Sequence, residues 1–503
     1  MRRHLVTKGS FYERLADHGH EVFRDEDFAH LYSDRMGRPS VPPSVMVRAM
    51  LCATHDKTSD AETARRTRVD LDWKAAMGVD DEFPGIGATT FALMRARMAA
   101  ANADDDLFDA TVARAVEAGI FRGKVTAIID SSPVVGAGAV ADTYELIRGF
   151  LRKTVKAVKT AGKQLSPEAA AAVEPFCGAK PDIDWQDPAA RKAHLGKLVA
   201  AGRVVLAEVG RLDDPEVREP ADLLAQVIDQ DVTNDEDGNP EIRQGVAPDR
   251  IVSHSDPEMR HGRKSASRRF DGHKLDVMTD EESELILGVD VRAGNAADGE
   301  GAAPLLEKVQ KIDGIEIDTL LGDMAYSDGD VRQAVEDQGA EMVAKVPPVS
   351  NGDRFPKTDF FIEADRVTCP AGEETTDARP IKDHKGRPAV RFVFPAEVCG
   401  ACPLRAECVA GKGGRTITVG IHEERIAAAR AAQTEPATQA LLRKRPKVER
   451  KIDHLQDLGM RKARYRGRRK TRLQALFAAT VANFKRLAVL GAFDTTPELA
   501  CAA

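Results

Sequence analysis

Lys124-Val125-Thr126-Ala127-Ile128-Ile129-Asp130 decides the fold: a β-branched apolar run of buried-strand length stops on a carboxylate. The chain before it has a different texture. Pro42 and Pro43 precede Val45, Met46, Ala49, Met50 and Ala53 at helical steps, and Thr58 to Glu62 offers an N-cap ahead of Arg65, Arg66 and Arg68. Thr89 or Thr90 can cap a further helix through Phe91, Met94, Arg95, Arg97 and Met98. Short arginine-bearing helices of this kind read as a helix-turn-helix, with a merely solubilising surface as the alternative.

Downstream, residues 142 to 227 are helical by composition, and the acidic stretch 229–241 reads as a mobile linking loop. Strand signals return at Lys274-Leu275-Asp276-Val277-Met278 and at Leu285-Ile286-Leu287-Gly288-Val289-Asp290-Val291, which form a hairpin. A helix over 301–311, the strand Ile317-Asp318-Thr319-Leu320-Leu321-Gly322 running into Asp323, a helix over 328–338 and a strand over 341–346 follow. Antiparallel strands succeeded by alternating helices and strands predict an α/β fold, a mixed sheet flanked by helices.

At 503 residues the chain is too long for one simple core. Its 42% hydrophobic and 30% charged residues are those of a soluble protein, with no bilayer-spanning stretch. The start, Met1-Arg2-Arg3-His4, lacks the apolar core of a secretory signal, so a cytoplasmic location and no membrane partner are expected. The net charge of −7 argues against a uniformly basic nucleic-acid binder, yet residues 441–472 hold fourteen Lys or Arg against three acids. That asymmetry marks either a polyanion-facing surface or a solvated helix.

Asp130 and Asp323 each follow an apolar strand, so rigid elements would anchor two carboxylates at one sheet edge within reach of metal and solvent. An aspartate after a strand also commonly just starts a turn.

With these residues in place, the chain resembles a bacterial insertion-sequence DDE transposase with a ribonuclease H-like catalytic domain and an all-helical N-terminal domain. In that family the first acid ends strand one, as Asp130 does, and the second ends strand four, where Leu320-Leu321-Gly322-Asp323-Met324-Ala325-Tyr326 is similar to the family's aspartate, small-residue and tyrosine pattern. The third lies on a later helix within a Tyr, Arg, Glu and Lys signature spaced by two, three and six residues. Arg445 and Glu449 match it, whereas Leu442 and Gln456 stand at the tyrosine and lysine positions. Asp142-Thr143-Tyr144, Tyr465-Arg466-Gly467 and Asn483-Phe484-Lys485-Arg486-Leu487 extend the likeness. Independently, Pro446 suits the first turn of a helix through Val448, Ile452 and Leu455 toward Gly459, with Glu449 flanking the apolar stripe.

The resemblance implies DNA strand cleavage and strand transfer by Asp130, Asp323 and Glu449 holding two magnesium ions, manganese being the substitute. It implies element ends and target DNA as partners, and a homo-oligomer that bridges the ends. Arg445, Arg450, Lys451, Arg464, Arg466, Arg468 and Arg469, with Arg263 and Lys264 from the polar loop 254–269, are the candidate DNA contacts. The expected division is a helical DNA-binding-like domain over 1–115, the first part of the catalytic core over 120–350 with a helical insertion at about 143–245, a Cys-containing insertion over 355–420, and C-terminal helices over 421–495 that complete the core.

Cys369, Cys399, Cys402 and Cys408 contain one Cys-x2-Cys pair in a Gly- and Pro-rich segment with little core of its own. Zinc bound to four thiolates and reduced, packed thiols are the two readings; Cys52, Cys177 and Cys501 stand apart. Two functional alternatives remain open: a non-catalytic DNA-binding protein or decayed transposase, suggested by Leu442 and Gln456, and a hydrolytic nuclease of the same fold.

Overall fold

The computed structural model describes residues 4, 6–32, 40–179, 181–265 and 267–494. The charged start at residues 1–3 and Cys501 lie outside the described residues.

Six strands form the central sheet: β1 (Lys124–Val135), β2 (Arg260–Arg263), β3 (Arg269–Asp280), β4 (Ile286–Ala293), β5 (Glu316–Leu321) and β6 (Glu341–Val343). β3 pairs antiparallel with β1, and its other side takes β2 at its first residues and β4 along the rest. β1 pairs parallel with β5, and β5 with β6. Connection length explains the change of direction. A short turn joins β3 to β4, whereas helices Ala302–Val309 and Gly329–Glu336 carry the chain back for the parallel strands.

β1 does not end at Asp130 as the sequence suggests; it continues to Val135. β3 is equally long, and the ladder runs without a break from Ala127 opposite Asp280 to Val135 opposite Gly272, with Asp130 opposite Val277. On the other side the pairing with β5 stops at Ile128 opposite Leu321, and the next backbone partner is Lys462, bridged to Val135. Asp130 therefore sits where one flank of its strand is left open.

Helices Phe11–Val22, Pro43–Asp56, Asp60–Val69, Leu71–Met77, Ala88–Ala101 and Ala103–Glu117 precede the sheet. Ser59 caps the third through the Glu62 amide, as its sequence indicates. The fifth starts two residues earlier than a Thr89 cap allows and three earlier than a Thr90 cap, at Ala88 with Gly87 as an N-cap that offers no side chain. These helices share one hydrophobic core with the sheet and with the C-terminal helix Arg468–Val489, joining Phe11, Trp73 and Phe91 to Ile128, Leu320, Leu476 and Phe484. Further clusters lie outside it, two of them built from separate segments of the chain. Helices Thr143–Thr160, Pro167–Cys177, Pro188–Val209 and Pro215–Asp231 enclose their own core around Leu146, Phe150, Leu198 and Leu224.

The stretch 229–241 is not a loop: the last helix runs to Asp231, and Val232–Asn234 pairs with Pro240–Ile242. Its turn is fixed by Asp235, whose carboxylate accepts the Asp237 and Asn239 amides and pairs with Lys192 at 2.5 Å. Strands Ala378–Lys382, Pro388–Val393 and Thr416–Gly420 form a small antiparallel sheet over Phe360, Phe392 and Phe394. Among the described residues no helix is long and apolar enough to cross a membrane.

Candidate active site

The open flank of β1 is where the expected acids come together. Asp130, Asp323 and Glu449 line one cleft of about 330 Å³ with Ser131, Arg263, Lys264, Lys274, Asp298, Arg445 and Gln456. Each acid reaches it by a different route. Asp130 is presented from within β1, held by a hydrogen bond from the Ser131 amide to its Oδ1 at 2.7 Å. Asp323 follows β5 after Gly322, and its Oδ1 caps the next turn by accepting the Ala325 amide at 2.8 Å. Gly322 is required there because a Cβ would stand 2.6 Å from Met342 Cε and 2.9 Å from Tyr326 Cβ.

Glu449 lies in the first turn of helix Pro446–Leu455, which buries Val448, Ile452 and Leu455 and leaves Glu449 exposed beside that stripe. Pro446 occupies the helix's first position, as expected. The helix then passes into a π-turn over Gln456–Met460, where Gly459 at φ 103° redirects the chain. Gln456, at the signature's lysine position, donates to Ser132 Oγ at 3.0 Å.

Five acids and four cations line this cleft, so its charges are closely matched. Burial pushes the Asp130 carboxyl up to about 6, with Asp323 and Glu449 adding to the rise and the Ser131 amide and Arg445 opposing it. Arg445 donates to Glu449 Oε1 at 2.6 Å and reaches Asp130 Oδ2 at 3.5 Å. Among the described residues no group of three or more His, Cys, Asp or Glu side chains stands close enough to hold a metal ion as arranged. The acids share one cleft without meeting at one point.

Sequence reasoning missed a supporting layer. Asp298 accepts from Ser131 Oγ at 2.6 Å and pairs with Lys274 Nζ at 2.7 Å; burial works against its charge, yet these two partners hold it below the usual carboxylate range. Behind it, fully buried Asp276 pairs with Arg292, and Tyr326 is buried with a hydroxyl that has no hydrogen-bond partner among the described residues. Burial, and then the charges of Asp276, Asp130, Asp298 and Asp323, push that hydroxyl's pKa far up. The sequence signals for this layer were Tyr326, in the aspartate, small-residue and tyrosine pattern, and Asp276, a charged residue in an alternating strand.

The expected DNA-contacting cations divide into two groups. Arg263 and Lys264 line the cleft and make no ion pair among the described residues, and Arg466 is likewise without one. The others are engaged: Arg450 and Lys451 with Glu284, Arg464 with Asp60, Arg468 with Glu258 and Arg469 with Asp104. In the N-terminal helices Arg65 and Arg66 pair with Glu62, and Arg95 pairs with Asp60. Asn483 is buried: its side chain brackets the Ile286 backbone and donates to Thr111.

Cys369, Cys399, Cys402 and Cys408 line a second, small cavity of about 20 Å³, and the Arg415 amide donates to Cys399 Sγ at 3.4 Å. Burial raises the Cys408 thiol pKa, and the other three cysteines add to that rise while Arg415 opposes it.

Two family models match this chain. Residues 368–488 match the Transposase DDE domain, a stretch that includes the four cysteines, Arg445 and Glu449 but neither Asp130 nor Asp323. Residues 1–97 match the Transposase domain (DUF772), so both ends of the chain carry transposase matches, consistent with an insertion-sequence DDE transposase. The comparison with curated proteins gives no match.

Proposed function

We propose that this protein is a DDE transposase that cuts and rejoins DNA strands at the Asp130, Asp323 and Glu449 cleft. One observation carries the reading: three acids far apart in sequence, on β1, after β5 and on a late helix, line a single cleft. The strand arrangement supports a ribonuclease H-like core, with three antiparallel strands continued by two parallel ones through helical crossovers.

The donor chemistry fits magnesium, with manganese as a substitute: all three groups offer hard oxygen, and burial, with smaller contributions from Asp323 and Glu449, works against a charge on Asp130 that a bound cation would favour. Asp130, Asp323 and Glu449 would hold the ions. Bound metal supplies activation of an attacking oxygen and stabilisation of the leaving one. Arg445 now answers Asp130 and Glu449; with those acids neutralised, its planar fork is free to take phosphate oxygens. Arg263 and Lys264 hold the DNA backbone at the rim. Water is the first nucleophile and the freed 3′-hydroxyl the second, with DNA ends bridged by a homo-oligomer in the cytoplasm.

The four thiols of Cys369, Cys399, Cys402 and Cys408 are a soft donor set suited to zinc, which would draw them together around their cavity. Leu442 and Gln456 favour one competing reading, a decayed copy that binds DNA without cutting it. The test is Asp130→Asn, folded and DNA-bound, assayed in magnesium on DNA carrying the ends of the element. Cleavage by wild type and its loss in the variant support the enzyme; normal cleavage by the variant refutes the site, and an inert wild type favours the decayed copy.

A further inference from the structure

An ion-paired cation must break that pair before it can serve a phosphate, so unpaired cations mark where a polyanion gains most. Beside the three-acid cleft lies a groove of about 810 Å³ in which Lys345, Arg430 and Arg443 form the charged lining, with no Asp or Glu. None of the three makes an ion pair or a side-chain hydrogen bond among the described residues, in a chain whose net charge is −7. The groove adjoins the candidate catalytic residues through the chain itself. Met324, which follows Asp323, forms part of its wall, and so do Leu442 and Arg443, just ahead of Arg445. Pro347 and Pro348 add apolar surface.

We infer that this groove holds the single DNA strand leading away from the reacting phosphate, its phosphates on Lys345, Arg430 and Arg443 and its bases against Leu442, Met324 and the proline pair. The inference rests on the proposed function and adds to it a path for the strand. A concave slot with an apolar wall favours a single strand, whose base faces are accessible, over a duplex, whose bases are stacked inside. Leu442 then has a role at the very position where the family signature has tyrosine.

The experiment measures binding of the full-length protein to a labelled oligothymidine in EDTA over a range of salt concentrations. In Lys345→Ala/Arg430→Ala/Arg443→Ala, three lost phosphate contacts should flatten the slope of log affinity against log salt by about 2. A control with the same charge change on ion-paired cations outside the candidate DNA-binding elements, Lys311→Ala/Arg379→Ala/Arg387→Ala, should keep the wild-type slope. If the triple variant is insoluble, Arg443→Ala and Arg430→Ala singly should each flatten the slope by about 0.7.

A wild-type slope in the groove variants, equal loss in the control, or no binding by the wild-type protein overturns the inference. EDTA keeps this test separate from catalysis. A flattened slope with an inert wild type leaves the groove a DNA site and removes the enzyme, whereas wild-type cleavage with an unchanged slope removes the groove alone.

Discussion

Arg445 donates to Glu449 Oε1 at 2.6 Å one helical turn away while also facing Asp130 Oδ2 at 3.5 Å, so one guanidinium answers two of the three clustered acids. Glu449 is half exposed, and a pair of this kind contributes at most about 1 kcal/mol to stability. Its importance is electrostatic, because Arg445 is one of two groups opposing the rise in the Asp130 pKa. Arg445→Gln should therefore change the melting temperature little and abolish strand cleavage. A large loss of stability with cleavage retained would reverse that assignment.

Asp130 gives the fold a pH signature. Its carboxyl, raised to about 6 in the folded protein, keeps a proton to higher pH than in the unfolded chain. Between about 4, the unfolded value, and 6 the folded state binds more protons, so stability falls as pH rises through that window and then levels off. Asp130→Asn removes this fall and should stabilise the protein on the order of 2 kcal/mol near neutral pH, with little effect below the window. Magnesium should raise the melting temperature of wild type and not of the variant. Thermal melts across pH with and without magnesium check both, and parallel curves for the two proteins would contradict them.

Much of this was legible in the sequence because local chemistry agreed with the final structure. The apolar run before Asp130, the alternation from Lys274 to Met278, and Pro446 opening an apolar stripe each met an element that rewards it. What was not legible depends on partners distant in sequence. The extension of β1 past Asp130 is set by the length of β3, and no pattern within residues 130–135 announces it. The basic cluster 441–472 reads as a surface for phosphates, yet many of its charges meet Glu281, Glu284, Asp60, Glu258 and Asp104, acids that only folding brings near, while Arg443 and Arg466 make no ion pair among the described residues. The groove cations Lys345, Arg430 and Arg443 are scattered along the chain and are distinguished only by the absence of such partners.

The four clustered cysteines make a prediction about folding. Their small domain has a core of few residues, Phe360, Val367, Phe392, Phe394 and Ile417, so a metal would supply much of its stability. The purified protein should carry about one zinc per chain by elemental analysis, as a four-thiolate site binds. Cys399→Ser/Cys402→Ser should lose it and expose residues 355–420 to protease. Metal-free protein with an equally protected segment would favour packed, reduced thiols.

Asn483 is buried and ties the C-terminal helix to the central sheet. Its Oδ1 accepts the Ile286 amide at 2.9 Å and its Nδ2 donates to the Ile286 carbonyl at 2.8 Å, at the start of β4. Asn483→Ala leaves both buried backbone groups unsatisfied, and each such group costs about 1–3 kcal/mol. The variant should melt well below wild type while any folded fraction keeps its salt slope on DNA. A stable variant with weakened DNA binding would contradict this structural role.

Tyr326 runs against the usual expectation for a buried aromatic residue at a candidate active site. The ring is fully buried and packs in the main core, but among the described residues the hydroxyl finds no partner while facing the charges of Asp276, Asp130, Asp298 and Asp323. An unsatisfied buried hydroxyl carries a desolvation penalty of about 1–3 kcal/mol with nothing to offset it. Tyr326→Phe keeps the packing and removes that penalty, so it should be neutral or stabilising near neutral pH. Tyr326→Ala should lose about 3–5 kcal/mol through the cavity it leaves. Chemical denaturation of the two variants separates ring from hydroxyl. If Phe proves as damaging as Ala, the hydroxyl has a partner in solution, and the acids around it name where to look.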